Sequence, residues 1–359
     1  MAAGAVGACL ALAAAVPALA AAPWWQATPP PHLIALSSDP GGQALAIAGG
    51  QVGWYRPSSG RFTPLALGDR GRGRPVLVAS RLGVGAVAYQ GGRVEVLVPG
   101  RAPRLWGSVP GSLGAIALGP GARPMLAVAS SRGLFWARLG QRPRRAGPGA
   151  ATAVVAPSRA GQPWVALVRG RVLERRAGGW SRVRGAPRLP AATRALAELG
   201  SGVVLVCQPS GLVWRGSGRD WTAAFQILPQ GGLEGVPQVT ALVGDGPSAA
   251  YLATRGFGTL LTPDGGYTWY RASPPSSSVL GLAAVGPVFS TRHPAGYVLA
   301  LSAGQTFRHR LQALPAPPPY QGGQLELQLA LTAAVTAGCG LVVMALLAWG
   351  FRRRRRLSV

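Results

Sequence analysis

The sequence predicts an all-β fold, a β-propeller of seven four-stranded blades, followed by one transmembrane α-helix near the C-terminus. Three observations predict it: an apolar unit that recurs about every 40 residues, a glycine at the turn in every copy, and a long uncharged segment near the C-terminal end. Repeats of about 20 to 50 residues are typical of propellers and solenoids, and uncharged apolar segments of about 20 residues are typical of membrane helices.

The repeat consists of an apolar hexamer, a turn that ends in glycine and a second apolar run. The hexamers begin at residues 44, 85, 125, 164, 203, 249 and 296. The turn glycines are Gly50, Gly92, Gly133, Gly170, Gly211, Gly256 and Gly304, at spacings of 42, 41, 37, 41, 45 and 48 residues. Glycine tolerates the positive φ that tight hairpins require. This regularity favours a propeller over residues 23–313, rather than chance similarity or a β-sandwich.

Another apolar stretch lies about ten residues before each hexamer, as in the segments that start at His32, Pro75 and Leu113. We interpret these stretches as the innermost strands, buried on both faces, because their hydrophobicity is continuous and their residues are small. We also expect a strand around Trp24 and Trp25 to pair with the last blade. That pairing would close the propeller and remove an exposed sheet edge.

The C-terminal segment Leu327–Phe351 contains no charged residue in 25 positions. At about 1.5 Å per residue it is long enough to cross a hydrocarbon layer of roughly 30 Å. Arg352–Arg356 follow directly and, under the positive-inside rule, mark the cytoplasmic side. Residues 314–326 are rich in proline, which favours an extended stalk. The sequence therefore predicts a single-pass protein of the cell membrane, with the propeller outside the cytoplasm and the basic tail 352–359 inside.

The N-terminal residues 1–22 are rich in Ala and Leu and include Ala18–Leu19–Ala20, a pattern typical of signal peptidase sites. The usual basic region is missing, so the alternative is a retained second helix. Cys9 lies in this leader and Cys339 in the predicted span, which leaves Cys207 alone between them. We therefore expect a propeller without an intramolecular disulfide, stabilised by packing.

The sixth repeat contains the segment TPDGGYTW at Thr262–Trp269. It resembles the Asp-box, S/T-x-D-x-G-x-T-W, of the sialidase, sortilin and Ycf48-like propellers. The residues that carry the resemblance are Thr262, Asp264, Gly266, Thr268 and Trp269. The resemblance implies a structural hairpin between third and fourth strands, facing away from the ligand surface, in which Asp264 binds backbone N–H groups. Decayed copies end at Trp221, Trp180 and Phe62.

Two functions are compatible with this resemblance. Ycf48-like propellers imply an exported, non-enzymatic helper in the assembly of membrane complexes, whereas sialidases imply a glycoside hydrolase. A retaining sialidase needs converging arginines, a tyrosine nucleophile activated by glutamate, and an aspartic acid. Tyr55, Tyr89, Tyr251 and Tyr297 lie in or beside predicted strands, but the local sequence pairs none of them with a glutamate. Glu234 is the best candidate for an exposed carboxylate.

We expect no metal ion and no cofactor. His32, His293 and His309 are each isolated from other ligand-forming side chains, so a zinc site lacks its parts. No calcium-binding loop occurs, and the sequence has no lysine for a phosphate-binding P-loop.

Arginine dominates the charge of the chain, which is +26 at pH 7. The absence of Lys and Asn indicates a GC-rich, bacterial genome, but codon bias does not explain the shortage of acids. Between Arg70 and Arg188 there are 21 arginines against Glu95 and Glu174. The candidate anion-binding residues in predicted connections are Arg70, Arg72, Arg74, Arg142, Arg144, Arg145, Arg175, Arg176, Arg182 and Arg184. The alternative is a solvated surface without a partner.

An anionic partner outside the cytoplasm follows from this arc of arginines: lipid headgroups, an acidic wall polymer or an acidic protein surface. Specific nucleic-acid binding is disfavoured by the predicted location. The sequence therefore favours a membrane-anchored, non-catalytic binding or assembly module for a protein or anionic partner. An exported sialidase-like glycoside hydrolase is the alternative.

Overall fold

The computed structural model describes residues 25–27, 33–67, 73–121, 124–146, 149–158, 161–176, 179–227, 238–272, 278–286, 296–302 and 305–310. These residues form seven antiparallel sheets of four strands each, arranged as the blades of a propeller. The prediction of an all-β fold with seven blades is confirmed. The predicted leader, stalk, membrane helix and basic tail lie outside the described residues.

The first four blades follow the chain in order. Blade 1 contains β2 (Leu33–Leu36), β3 (Ala44–Ala48), β4 (Gln51–Arg56) and β5 (Arg61–Pro64). Blade 2 contains β6 (Pro75–Arg81), β7 (Val84–Tyr89), β8 (Arg93–Leu97) and β9 (Arg104–Ser108). Blade 3 contains β10 (Leu113–Leu118), β11 (Met125–Ser130), β12 (Gly133–Arg138) and β13 (Arg144–Arg145). Blade 4 contains β14 (Ala151–Val155), β15 (Trp164–Val168), β16 (Arg171–Arg176) and β17 (Gly179–Arg182).

The last three blades complete the propeller. Blade 5 contains β18 (Ala195–Glu198), β19 (Val204–Cys207), β20 (Leu212–Ser217) and β21 (Asp220–Gln226). Blade 6 contains β22 (Gln238–Asp245), β23 (Ala249–Arg255), β24 (Gly258–Thr262) and β25 (Tyr270–Arg271). Blade 7 contains β26 (Val279–Val285), β27 (Tyr297–Ser302) and β28 (Gln305–Arg310), and its outermost strand is β1 (Trp25–Ala27).

The closure of the propeller joins the first described strand to the last. Trp25 pairs with His309 and Ala27 pairs with Phe307 in an antiparallel ladder. The predicted pairing of a strand at Trp25 with the last blade is therefore confirmed. It removes a free sheet edge that could otherwise pair with another chain.

The predicted hexamers form the second strand of each blade. These strands are the most deeply buried, and β3, β15 and β19 are buried along their whole length. The expectation that the innermost strands are buried on both faces is wrong. Residues of each innermost strand line a central channel, and Ile34, Val76 and Leu280 keep 52%, 36% and 43% of their surface exposed. Of the innermost strands, only β18 is buried along its whole described length.

The apolar core is divided among the interfaces between blades. The described residues form seven buried clusters, and each cluster joins side chains from two neighbouring blades. Cys207 lies in the cluster between blades 5 and 6 as a free thiol, and burial raises its pKa to about 12. Each blade is therefore stabilised through its contacts with both neighbours.

The propeller has two faces, which the strand order defines. We call the mouth face the one that carries the turns between second and third strands and the connections between blades. The base face carries the turns between first and second strands and between third and fourth strands. Since β1 begins and β28 ends at the base face, the chain enters and leaves the propeller on that side.

Candidate functional site

A β-bulge recurs near the start of the innermost strands. The ladder between first and second strands shifts register in blades 1, 2, 3, 4, 6 and 7, and the extra residues are Ile34, Val76, Gly114, Thr152, Thr240 and Leu280. Bulges bend a strand and redirect a side chain, and they are frequent beside functional sites. Because each innermost strand starts at the mouth face, these residues surround the channel where it opens on that face.

Arg194 completes this circle in blade 5. The Thr152 hydroxyl donates to the carbonyl of Thr193 over 2.6 Å, and the Thr240 hydroxyl donates to the carbonyl of Val279 over the same distance. Val279 directly precedes the bulge residue of blade 7. Because Thr193 accepts the same kind of hydrogen bond as Val279, it occupies the equivalent position in blade 5. Arg194, which directly precedes β18, then corresponds in position to the bulge residues of the other blades, although the ladder of blade 5 has no register shift. We call the seven residues the mouth ring: Ile34, Val76, Gly114, Thr152, Arg194, Thr240 and Leu280.

The mouth ring is divided by chemistry. The three exposed aliphatic side chains, Leu280, Ile34 and Val76, lie on the consecutive blades 7, 1 and 2. Thr240, Thr152 and Gly114 are small and lie on blades 6, 4 and 3. Arg194, on blade 5, lies across the channel from the blades of Ile34 and Val76, whereas Leu280 lines a cavity together with Arg194.

The channel contains a cavity of about 470 Å³, lined chiefly by small and apolar residues of the innermost strands. A second cavity of about 260 Å³ lies beside the mouth, against the turn of blade 5 that includes Pro209. Arg194 and Thr240 line both cavities, and Leu280 lines the second. Together the cavities can hold apolar groups next to a guanidinium.

Charged side chains cross the base end of the channel. The Arg81 guanidinium, from blade 2, donates to the carbonyls of Pro157 and Ser158 in blade 4 over 3.0 and 2.6 Å. The backbone N–H of Ser158 donates to Glu198 Oε2 in blade 5 over 2.9 Å. These contacts tie separate blades together below the cavity, so the geometry favours entry from the mouth.

Asp39 joins the first, second and last blades at the same end. Its Oδ1 accepts hydrogen bonds from the N–H groups of Gly41 and Leu82 over 2.7 and 3.0 Å, and its backbone N–H donates to Ala284 over 2.9 Å. Only 1% of Asp39 is exposed. Burial raises the pKa of this carboxyl, although the contacts with Gly41, Ser80, Leu82 and Arg81 oppose the rise.

A dependence of stability on pH follows for Asp39. Because its pKa is higher in the folded than in the unfolded state, ionisation at neutral pH weakens the fold, and the weakening disappears as pH falls below both values. Asp39→Asn keeps an oxygen for Gly41 and Leu82 but removes the charge. We expect the variant to gain stability relative to the natural chain at pH 7 and to lose that advantage toward pH 4, as measured by urea unfolding at each pH.

The pH series needs a control for the general effect of acid on a basic protein. Asp220→Asn removes an exposed carboxylate of the base face, and its stability difference from the natural chain should stay small and constant. A difference for Asp39→Asn that is equally constant from pH 7 to pH 4 would contradict the assigned role of burial.

The ten predicted anion-binding arginines do not form one patch. Arg74, Arg182 and Arg184 lie at the mouth face, whereas Arg142 lies in a turn of the base face. Arg144 and Arg145 form the outermost strand of blade 3. Arg70 and Arg72 fall outside the described residues.

Three of the ten arginines have side-chain contacts within the propeller. The Arg145 guanidinium donates to the carbonyl of Arg132, and the other two are Arg175 and Arg176. The Arg175 guanidinium stacks on the Trp136 ring at 4.3 Å and thereby joins blades 4 and 3. Arg176 forms an ion pair with Glu174 over 3.1 Å. The contacts of Arg175 and Arg176 account for both side chains without a partner molecule.

The mouth face carries further exposed arginines that the sequence did not single out. They are Arg132, Arg169, Arg188, Arg194 and Arg255, in turns or blade connections. Across the described turns and connections of this face there is no Asp or Glu. The described part of the mouth face is therefore uniformly cationic. Asp69 and Glu234 belong to segments outside it.

The segment 262–269 forms a tight hairpin on the base face. Asp264 accepts hydrogen bonds from the N–H groups of Tyr267 and Thr268 over 3.0 and 2.9 Å and from the hydroxyl groups of Thr262 and Thr268. Gly266, with φ of +101°, accepts a bond from the Trp269 indole over 3.0 Å. The acceptor capacity of Asp264 is thus used within the hairpin, while assignment to the Asp-box families stays a prediction.

This hairpin also joins blade 6 to blade 5. The Trp269 ring lies 5.8 Å from the Phe225 ring, and Arg215 stacks on Tyr267 at 4.3 Å while donating to the carbonyl of Gly265 over 3.0 Å. The hairpin is therefore part of the packing between blades, on the face opposite the mouth.

The expectation that no tyrosine is paired locally with a glutamate is wrong for Tyr89. Its hydroxyl donates to Glu95 Oε2 over 3.3 Å, and Arg93 pairs with the other oxygen over 2.7 Å. The two residues lie on adjacent strands of blade 2, which brings them together. Tyr89 and Glu95 are 3% and 1% exposed, and neither lines the channel cavity. The pair is therefore closed to a polymeric substrate.

The described residues contain no group of three or more His, Cys, Asp and Glu side chains placed to hold a metal ion. None of the residues that the structure describes forms a helix with the length and hydrophobicity of a membrane crossing, and the predicted span 327–351 lies outside them.

Neither a protein-family model nor a curated protein matches the sequence. Solved structures do match the fold. YCF48 from Cyanidioschyzon merolae is 14% identical, with a TM-score of 0.55 over 80% of this chain and 98% of that one. A structure of YCF48 bound to D1 peptide is 13% identical, with a TM-score of 0.58 over 80% and 97%. Streptogramin B lyase is 10% identical, with a TM-score of 0.58 over 80% and 98%. At these identities the similarity establishes the propeller fold alone.

Proposed function

We propose that this chain is an exported, membrane-anchored and non-catalytic module that binds another protein through its mouth face, as part of the assembly of a membrane complex. The observation that carries the proposal is the described mouth face itself, where exposed arginines in turns and connections without Asp or Glu surround an open cavity. A surface of one charge attracts a partner of the opposite charge and speeds their association.

The similar structures are consistent with this proposal but do not decide it. One of them is YCF48 with a bound D1 peptide, whereas another is a lyase. A propeller can therefore serve either class of function, and the choice depends on the site. Here no tyrosine lines the described part of the channel, and the Tyr89–Glu95 pair is buried in blade 2. No specific observation favours a glycoside hydrolase.

The direction of the chain ends bears on the kind of partner. Both ends of the propeller leave from the base face. If residues 314–326 form a stalk and residues 327–351 span the membrane, the mouth face points away from the bilayer. A protein in the extracytoplasmic space then suits the mouth face better than lipid headgroups. An acidic wall polymer is the competing outcome.

The proposal can be tested by recovering partners from membranes of the source bacterium. The full tagged chain should stay with membranes washed at high salt and alkaline pH, as a spanning protein does. After detergent solubilisation, the double variant Arg184→Ser/Arg188→Ser should recover about tenfold less partner protein than the natural chain, because two interfacial charge pairs are lost.

The matched control changes two exposed arginines of the base face, Arg101→Ser/Arg104→Ser. It removes the same charge and should leave partner recovery unchanged. Equal recovery by the natural chain and the mouth variant would refute binding through the mouth face. A wall polymer, rather than protein, among the recovered material would redirect the proposal to the polymer.

A further inference from the structure

The mouth of the channel has two cavities that share one arginine as a lining residue. The channel cavity of about 470 Å³ and the side cavity of about 260 Å³ share Arg194 and Thr240 as lining residues. Ala192, Pro209, Val239 and Leu280 supply apolar surface in the side cavity. A group bound in either cavity is therefore close to Arg194.

Arg194 is available to a ligand. Its side chain is exposed, and no residue in the described part of the chain forms a hydrogen bond or ion pair with it. By contrast, Arg81 at the base end is held by two carbonyl groups of blade 4. Arg194 can therefore bind a carboxylate with both arms of its guanidinium without breaking an existing contact.

Exposed aliphatic side chains are concentrated on one side of the mouth ring. Ile34, Val76 and Leu280 are three of the six large hydrophobic residues that are exposed in the described chain, and they lie on three consecutive blades. Exposed apolar groups that cluster beside a cavity mark a binding surface more often than scattered ones do. Covering them would favour binding of an apolar group.

We propose that the mouth ring binds a segment of the partner protein in which an apolar side chain and a carboxylate lie within two residues of each other. The carboxylate pairs with Arg194, and the apolar side chain enters a cavity beside Leu280 or the channel below the ring. In an extended segment, residues one or two positions apart lie about 3 to 7 Å apart, so neighbouring side chains can reach these adjacent places. The inference rests on the proposed function and specifies the partner for the same face.

The distribution of charge favours a protein segment over a fatty acid. A fatty acid offers one carboxylate, which Arg194 alone would satisfy. The mouth face continues with Arg184, Arg188 and Arg255, all exposed in turns or connections beyond the ring. A row of cations of that extent suits a longer partner with several acidic groups.

The experiment selects peptides from a displayed library of random heptapeptides with the full chain in detergent micelles. Retained peptides should carry an apolar residue within two positions of Asp or Glu. One such peptide is then made with blocked ends and its affinity measured by fluorescence polarisation. Arg194→Gln should weaken its binding about tenfold, and Leu280→Ser should also weaken it, whereas Arg101→Gln, which removes an exposed charge of the base face, should change it less than twofold.

Each result decides the inference. Circular dichroism and thermal unfolding that match the natural chain would assign the losses to binding. Peptides without a carboxylate, an equal loss in Arg101→Gln, or no retained peptide would overturn it. Equal affinities of decanoate and the peptide would also overturn the inference, since the site would then accept a simple amphiphile. A further peptide has its acidic side chain changed to the amide. If a free C-terminus restores binding of this peptide, the carboxylate that Arg194 binds is that of a chain end.

The two proposals fail differently. If partner recovery from membranes depends on Arg184 and Arg188 but no library peptide depends on Arg194, the proposed function stands and the mouth ring is not its peptide site. If peptide binding depends on Arg194 but membranes yield no partner protein, the peptide site stands and the proposed assembly role falls.

Discussion

Asp264→Ala should lower the free energy of unfolding by about 3 kcal/mol, because it removes the acceptor of two backbone and two hydroxyl hydrogen bonds in the hairpin between blades 5 and 6. The loss should extend beyond the hairpin, since Trp269 and Tyr267 would no longer be held against blade 5. Urea unfolding followed by tryptophan fluorescence measures the change.

Two variants delimit the Asp264 effect. Asp264→Asn keeps one oxygen and should lose roughly half as much stability, about 1.5 kcal/mol. Asp220→Ala removes an exposed carboxylate at the base face and should stay within about 0.5 kcal/mol of the natural chain. If Asp264→Ala is no less stable than Asp220→Ala, the hairpin does not contribute to the packing between blades.

Gly92→Ala is expected to cost about 3 to 4 kcal/mol, because two penalties coincide at this turn. Gly92 has φ of +89°, and a Cβ atom there would lie 2.0 Å from the carbonyl oxygen of Val109. The carbonyl oxygen of Gly92 accepts a hydrogen bond from the N–H of Val109 over 2.8 Å. The two segments therefore cannot move apart to make room for the Cβ atom without breaking that bond. Thermal and urea unfolding of the purified variant would measure the loss.

Gly50→Ala is the matched variant. Gly50 occupies the equivalent turn of blade 1 with φ of +79°, but no atom lies within 4 Å of the added Cβ. Gly50→Ala should lower the free energy of unfolding only by the cost of the positive φ angle, about 1 kcal/mol. Similar losses in the two variants would mean that the dihedral angle, rather than the approach of the blade connection, makes glycine necessary at Gly92.

The fold could be predicted from the sequence because each blade repeats its own hydrophobic pattern. The hexamers identify the second strands since these are buried on both faces, as β15 shows. The strand at Trp25 was predictable from topology, because a propeller without it would have an open edge. The burial of innermost strands was mispredicted because a run of small apolar residues looks alike whether it faces a core or a channel.

The candidate site was less accessible to sequence reasoning. Net charge indicated a basic surface, but it could not separate the two faces, so Arg142 and Arg184 were grouped although they lie on opposite sides. Sequence reasoning does not identify Arg194, because its place follows only from comparison with the bulge residues of the other six blades, which no local motif marks. A comparison of the seven repeats at the second residue of each innermost strand would have revealed Ile34, Val76 and Leu280 together.

The ladder between β1 and β28 also sets the order in which the molecule can be completed. The residues at Trp25–Ala27 are made first, yet their partners at Phe307–His309 are made after almost every other part of the propeller. Until β28 is made, β1 has no partner and the contact between blades 1 and 7 is incomplete. The chain therefore exposes an unpaired strand edge during synthesis. Closing contacts between residues so distant in sequence are slow to form. We therefore expect the meeting of the two ends to be the last step in folding, and a chain truncated before Gln305 to aggregate rather than to form a smaller propeller.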